Sequence, residues 1–157
     1  MRRVILSLGS NIEPRREWIA QATQAIANLP GIRNLCCSPL YETLPEDVPE
    51  EFRTQLFVNG IVTFEACVPC PREFLRTLQA IEDRLGRTRD RGKGVPRTID
   101  IDIVDIERMR VARPDLFVPH LKAATRRFVL QPLADLLPGH RLEGQTATVR
   151  ELLEQTE

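Results

Sequence analysis

The chain has 157 residues, enough for one domain to bury a core without disulfide or metal staples. Its 22 basic and 22 acidic residues cancel, and 42% hydrophobic with 28% charged residues is an ordinary globular make-up. Such a balance gives no global drive toward nucleic acid or an anionic membrane, and no apolar run approaches the ~18 residues of a spanning helix, so a cytoplasmic location is expected.

RVILSL at 3–8 is a short apolar run stopped by Gly9 and reads as a strand. Pro14 suits the first turn of a helix, where its missing N–H costs nothing. Trp18, Ala22, Ala25, Ile26 and Leu29 give that helix an apolar face before Pro30-Gly31 ends it. A second strand is predicted over 34–41. An acidic connection follows, with five acids and no base from Glu42 to Glu51, and FVNGIVTFE at 57–65 alternates as a third strand. A second helix runs from about Pro71 to Leu85 with Phe74, Leu75, Leu78 and Ile81 inward and Gly86 as its stop. Residues 87–96 are expected to form a basic loop; from Arg84 to Arg97 six bases stand against Asp90. A strand at 98–104, FVPH at 117–120, a short helix near 131–137 and a last helix at 146–155 complete the chain.

The order β-α-β-β-α-β with a C-terminal extension predicts a ferredoxin-like α+β domain spanning 1–157, a mainly antiparallel sheet with helices packed on one side. That fold hosts many functions and settles none. Cys36-Cys37 and Cys67-x-x-Cys70 read as free thiols, because neighbouring strand residues point to opposite faces and Cys36 and Cys37 cannot easily share one metal.

RTIDIDIVD at 97–105 raises the chemical question. Residues two apart in a strand project to the same face, roughly 6–7 Å from each other, so Asp100 and Asp102 point away from Ile99, Ile101 and Ile103. The spacing alone permits a solvated strand face or a pair of carboxylates sharing hard cations such as Mg²⁺. Arg87, Arg89, Arg91, Lys93 and Arg97 lie just upstream, and guanidiniums beside paired carboxylates suit a polyphosphate with its metal. GSN at 9–11 lacks the Gly-Lys-Ser/Thr of a phosphate-cradling loop, so a phosphate site here rests on side chains.

The string GRTRDRGKGVPRTIDIDIV, preceded by QAIEDRL and followed by FVPHLKAATRRFVLQPL, is similar to the 6-hydroxymethyl-7,8-dihydropterin pyrophosphokinases of folate biosynthesis. LSLGSN, SPLYET at 38–43 and FVNG at 57–60 match the same family in order, so the resemblance spans essentially the whole chain. It implies transfer of pyrophosphate from ATP to the pterin hydroxymethyl group, with AMP released. It also implies that Asp100 and Asp102 bind two Mg²⁺ ions and act with Arg87 and Arg89 as the catalytic set. Gln79, Glu82, Arg87, Arg89, Lys93, Arg97, Ile103, His120 and Arg126 match ATP-binding positions. Phe57 and Phe128 match the aromatic pair that sandwiches the pterin, with Thr43, Leu44 and Asn59 at its hydrogen-bonding edge. Loops at roughly 44–55 and 87–96 are expected to close over the site, and no strong protein base is needed for in-line transfer. A monomer acting on these two small molecules is expected, without nucleic acid or membrane partners.

The chain departs from the family at three places. Lys93-Gly94 replace an Arg-Trp pair, Leu121 a tyrosine and Asp115 a basic residue. Two other classes compete with this reading. A non-catalytic nucleotide- or RNA-binding module would expose stacking aromatics on central strands, whereas Tyr41, Phe57 and Phe64 make no such pattern. A metal hydrolase would need a further carboxylate or histidine near Asp100 and Asp102.

Overall fold

The computed structural model describes residues 1–46, 48–87 and 96–156. β1 (Arg2–Ser10) is apolar on both sides, with Val4, Leu6 and Leu8 packed one way and Ile5 the other, which suits a central strand. α1 (Arg15–Ala27) follows Pro14 and buries Ile19, Ala22 and Ile26.

The single strand predicted over 34–41 is two strands, β2 (Arg33–Cys37) and β3 (Tyr41–Thr43). Pro39 has no N–H for a ladder. Ser38 bridges the gap instead, donating its N–H to Ile61 O at 2.9 Å and accepting the Ile61 N–H on Oγ at 2.8 Å. Both pieces pair antiparallel with β4 (Phe57–Ala66). α2 (Pro71–Arg84) turns Leu78 and Ile81 inward, and β5 (Asp100–Ile106) returns to the sheet.

The strand order is β2-β4-β1-β5 with β3 also on β4, and the pairs are antiparallel. This is the expected ferredoxin-like core. α1 and α2 cover one face, over Val4, Leu6, Val62, Phe64, Ile101 and Ile103. Each fully buried aliphatic side chain there is worth roughly 1.5–3 kcal/mol.

The C-terminal extension supplies a second helical layer on the opposite face, where helices on one side only were expected. β6 (Val111–Arg113) and β7 (Leu116–Val118) form a hairpin too short for alternation to reveal. α3 (Arg127–Leu136) begins well before the predicted 131. Pro132 sits mid-helix, where it forfeits the bond its N–H would give to the Phe128 carbonyl. α4 (Val149–Gln155) starts behind Thr148, whose Oγ1 accepts from the Glu151 N–H at 3.2 Å while Glu151 accepts from the Thr148 N–H. Leu130, Leu133, Val149 and Leu152 pack on Ile5, Ile61 and Val104.

A bulge in β5 marks where that layer begins. Leu6 pairs with Ile103 and Ile5 with Asp105, so Val104 is an extra residue. Asp105 accepts on Oδ2 from His140 Nε2 at 3.1 Å. β3 is tied to both layers: the Tyr41 hydroxyl donates to Asp135 of α3, and Arg15 of α1 donates to Glu42 at 2.8 Å. Among the described residues no helix is long and apolar enough to cross a membrane.

Candidate active site

α3 and α4 cover one end of the second sheet face and leave the other end as the floor of a cleft of about 330 Å³. Alternation along the strands supplies that floor. Ser7 and Gly9 of β1, Asn59 of β4 and Asp100 and Asp102 of β5 all line it. Register sets them side by side, with Gly9 opposite both Asn59 and Asp100, and Ser7 opposite Asp102. Thr43, Leu44 and Phe57 form one wall, and Arg126 with Phe128 at the start of α3 another.

The acid end is heavily cross-linked. Asp100 accepts from Arg87 Nη1 at 2.9 Å and lies 3.3 Å from Arg97 Nη1. Arg87 also donates to Glu82, a carboxylate 2% exposed on α2. Glu82 accepts the Ile101 N–H at 2.8 Å as well, pinning β5 between its two aspartates. Asn11 clamps the approach to β5, accepting the Arg97 N–H on Oδ1 at 2.8 Å and donating its own N–H to Arg97 O at 3.3 Å. LSLGSN carries these contacts, but the sequence attaches no role to Ser7, Gly9 or Asn11, because their partners lie far along the chain.

Asp102 is recessed in the floor. Burial pushes its carboxyl up to about 8, helped by the charges of Asp100 and Glu82 and opposed by Arg87 and Arg126. With Glu82 and Asp100 already present, a further negative charge on Asp102 is unfavourable until a cation joins it. An oxygen-only donor pair of this kind fits a hard divalent cation. Among the described residues no group of three or more His, Cys, Asp and Glu side chains could hold a metal, so any such ion would rest on these two carboxylates and substrate oxygens.

Asp102 also borders a second cleft of about 220 Å³, walled by Leu75, Ile101, Ile103 and Leu121 and by His120. Burial, then Arg126, lowers the His120 pKa and keeps the ring neutral. Its Nδ1 accepts the Lys122 N–H at 3.2 Å, leaving Nε2–H as a donor.

Residues 5–138 match the sequence model of the family described as 7,8-dihydro-6-hydroxymethylpterin-pyrophosphokinase. The chain belongs to that family. It is 42% identical over 142 residues to the 2-amino-4-hydroxy-6-hydroxymethyldihydropteridine pyrophosphokinase of Pseudomonas aeruginosa, covering 90% of this chain and 85% of that one. The protein of the same name from Methylorubrum extorquens is 38% identical over 154 residues, covering 98% and 92%. A crystal structure of Plasmodium falciparum HPPK-DHPS A437G superposes with a TM-score of 0.77 at 17% identity, which speaks for the fold. The match covers 98% of this chain and 45% of that longer one.

Within this pyrophosphokinase-family domain, the first cleft gathers Thr43, Leu44, Phe57, Asn59, Arg87, Arg97, Asp100, Asp102, Arg126 and Phe128 from the expected set. Ile103 and His120 fall in the second cleft, and neither Gln79 nor Glu82 of α2 lines either space. Arg89, Lys93 and Gly94 lie outside the described residues. Of the departures, Asp115 pairs with Arg72 at 3.1 Å and Leu121, 70% exposed, stands at the rim of the second cleft. The first cleft adds Lys122 and Glu46, whose carboxylate lies 3.6 Å from Arg126 Nε. The four cysteines are free thiols.

Proposed function

We propose that this single domain transfers the β,γ-pyrophosphoryl unit of ATP to the hydroxymethyl group of 6-hydroxymethyl-7,8-dihydropterin, giving the pterin diphosphate and AMP in folate biosynthesis. One observation carries the reading: a carboxylate pair with three arginines, Arg87, Arg97 and Arg126, opens into an aromatic, amide-lined slot in the same cleft. Family membership and the names of its bacterial relatives support the same activity.

Phe57 and Phe128 suit the two faces of a flat bicyclic ring, while Asn59 and the Thr43–Leu44 segment suit its polar rim. Arg87 and Arg97, which neutralise Asp100 in the free chain, exchange that carboxylate for phosphate oxygens. Arg126, 5.3 Å above the Phe128 ring centre, bridges the phosphate and pterin sides. The second cleft takes the nucleoside end of ATP, with Ile103 as a wall and His120 as a neutral donor. Gln79 and Glu82 on α2, with Arg89 and Lys93 of the basic loop, complete the nucleotide set; Glu82 anchors Arg87 in the free chain.

When bound, two Mg²⁺ ions on Asp100 and Asp102 supply the positive charge that neutralises the triphosphate during transfer. The protein's task is then positioning: bringing the hydroxymethyl oxygen in line with the phosphorus and excluding water. The domain works as a cytoplasmic monomer.

The test is direct. Purified chain with ATP, Mg²⁺ and the pterin should form AMP and pterin diphosphate in equal amounts, and neither product when one substrate is omitted. Nucleotide binding with no AMP formed would leave a non-catalytic binding module in its place.

A further inference from the structure

Gly9 lies at the centre of the cleft floor, between the amide of Asn59 and the carboxylate of Asp100 in the sheet register. A Cβ built there would lie 2.6 Å from Asn59 Oδ1, a separation that real Cβ atoms do not show. The next atoms are Phe57 Cδ1 at 3.6 Å, an ordinary contact, and Asn59 Cγ at 3.7 Å. The three nearest atoms thus belong to the pterin side of the cleft. Asn59 has little room to yield. It is 5% exposed, and its Nδ2 donates to Thr43 Oγ1 at 2.5 Å, so turning the amide away breaks that bond.

We propose that Gly9 is a specificity-setting positioning residue, resting on the pterin reading above. Its missing side chain lets the Asn59 amide lie flat against β1, where Thr43 fixes which end is nitrogen. The amide then presents an acceptor, Oδ1, beside the remaining Nδ2 hydrogen as a donor. That pair is complementary to a ring edge carrying a carbonyl next to an N–H, and mismatched to one whose carbonyl is replaced by an amino group. A site built around such a fixed pair rejects the mismatched edge, because its buried polar groups are left unpaired. With any side chain at position 9 the amide rotates and the discrimination is lost, while the phosphate side a strand away is untouched.

The experiment compares 6-hydroxymethyl-7,8-dihydropterin with its 4-amino analogue, measuring both dissociation constants in the presence of a non-hydrolysable Mg²⁺–ATP analogue. The native chain should prefer the 4-oxo ligand by on the order of 100-fold or more. Gly9→Ala should cut that preference to below about 10-fold, and change affinity for the nucleotide analogue by less than about twofold. In Asn59→Ala the preference is already lost, and adding Gly9→Ala should weaken pterin binding no further, because both changes remove one interaction. Thr43→Val, which leaves β1 unaltered, should lower the preference in the same sense and serves if Gly9→Ala fails to fold. Full preference retained in Gly9→Ala or Thr43→Val overturns the proposal, as does a Gly9→Ala effect that adds to that of Asn59→Ala or falls equally on nucleotide. A native chain that binds neither pteridine overturns the pterin reading itself, a result distinct from these.

Discussion

The second face of the sheet has two ends built from the same three strands. At one end Ile5, Ile61 and Val104 lie beneath α3 and α4. At the other, one step along each strand on the same face, stand Ser7 and Gly9, Asn59, and Asp100 with Asp102. The first end is held mainly by apolar burial, with one buried carboxylate, Asp105, held by His140. The second is held by directional contacts, with Glu82 holding β5 at Ile101 and Asn11 holding the approach to it at Arg97. A cleft needs both: the packed end supplies the rigidity that lets the other end hold a carboxyl whose ionisation is unfavourable.

Removing the recessed carboxylate breaks the contrast most sharply. Asp102→Ala should cost several kcal/mol of transition-state stabilisation, about 10³ in kcat, while the fold survives. Circular dichroism with an AMP assay checks this, and turnover near the native rate would remove Asp102 from the reaction. The opposite pattern is expected at the packed end. Leu133→Ala, at a fully buried position, should lower stability by about 2–5 kcal/mol, read as a denaturant midpoint shift.

A pH series sharpens the comparison. Asp102 holds its proton up to about 8 in the folded, metal-free chain, against 3.8 for an ordinary aspartate. Between those values the folded state binds a proton that the unfolded state has released, so this group's contribution falls as pH rises through the window. Melting temperature in EDTA should therefore drop toward pH 8, and Asp102→Asn should flatten the drop; parallel curves for the two proteins would contradict the burial argument. The smallest effect belongs to the tie between the layers. Tyr41→Phe should cost about 1 kcal/mol in stability, with unfolding again the measure.

Much of the fold was legible from local patterns. Ile99, Ile101 and Ile103 declared the inward face of β5, and Leu78 and Ile81 that of α2, because burial on one face leaves a periodic trace. The aspartates followed from the same alternation. What stayed hidden depended on partners distant in the chain or on a broken rule. Pro39 split a strand, Pro132 disguised the start of α3 and so the position of Phe128 on its first turn, and Val104 slipped the register. Gly9 reads in sequence as the stop of a strand, and its closeness to Asn59 exists only across the sheet. The resemblance to pyrophosphokinases supplied residue roles that periodicity alone does not yield, such as those of Phe57 and Phe128.

β3 is three residues long, yet Tyr41 is fastened to α3 and Glu42 to α1. Short strands at the end of a sheet ordinarily open and close on their own, and their amides exchange with solvent early. Here opening β3 also costs these two side-chain ties, so its amides should exchange more slowly than those of an untied short strand. The hydroxyl of Thr43 thereby sits on a strand braced from both helical layers, at the point where Asn59 needs a fixed partner.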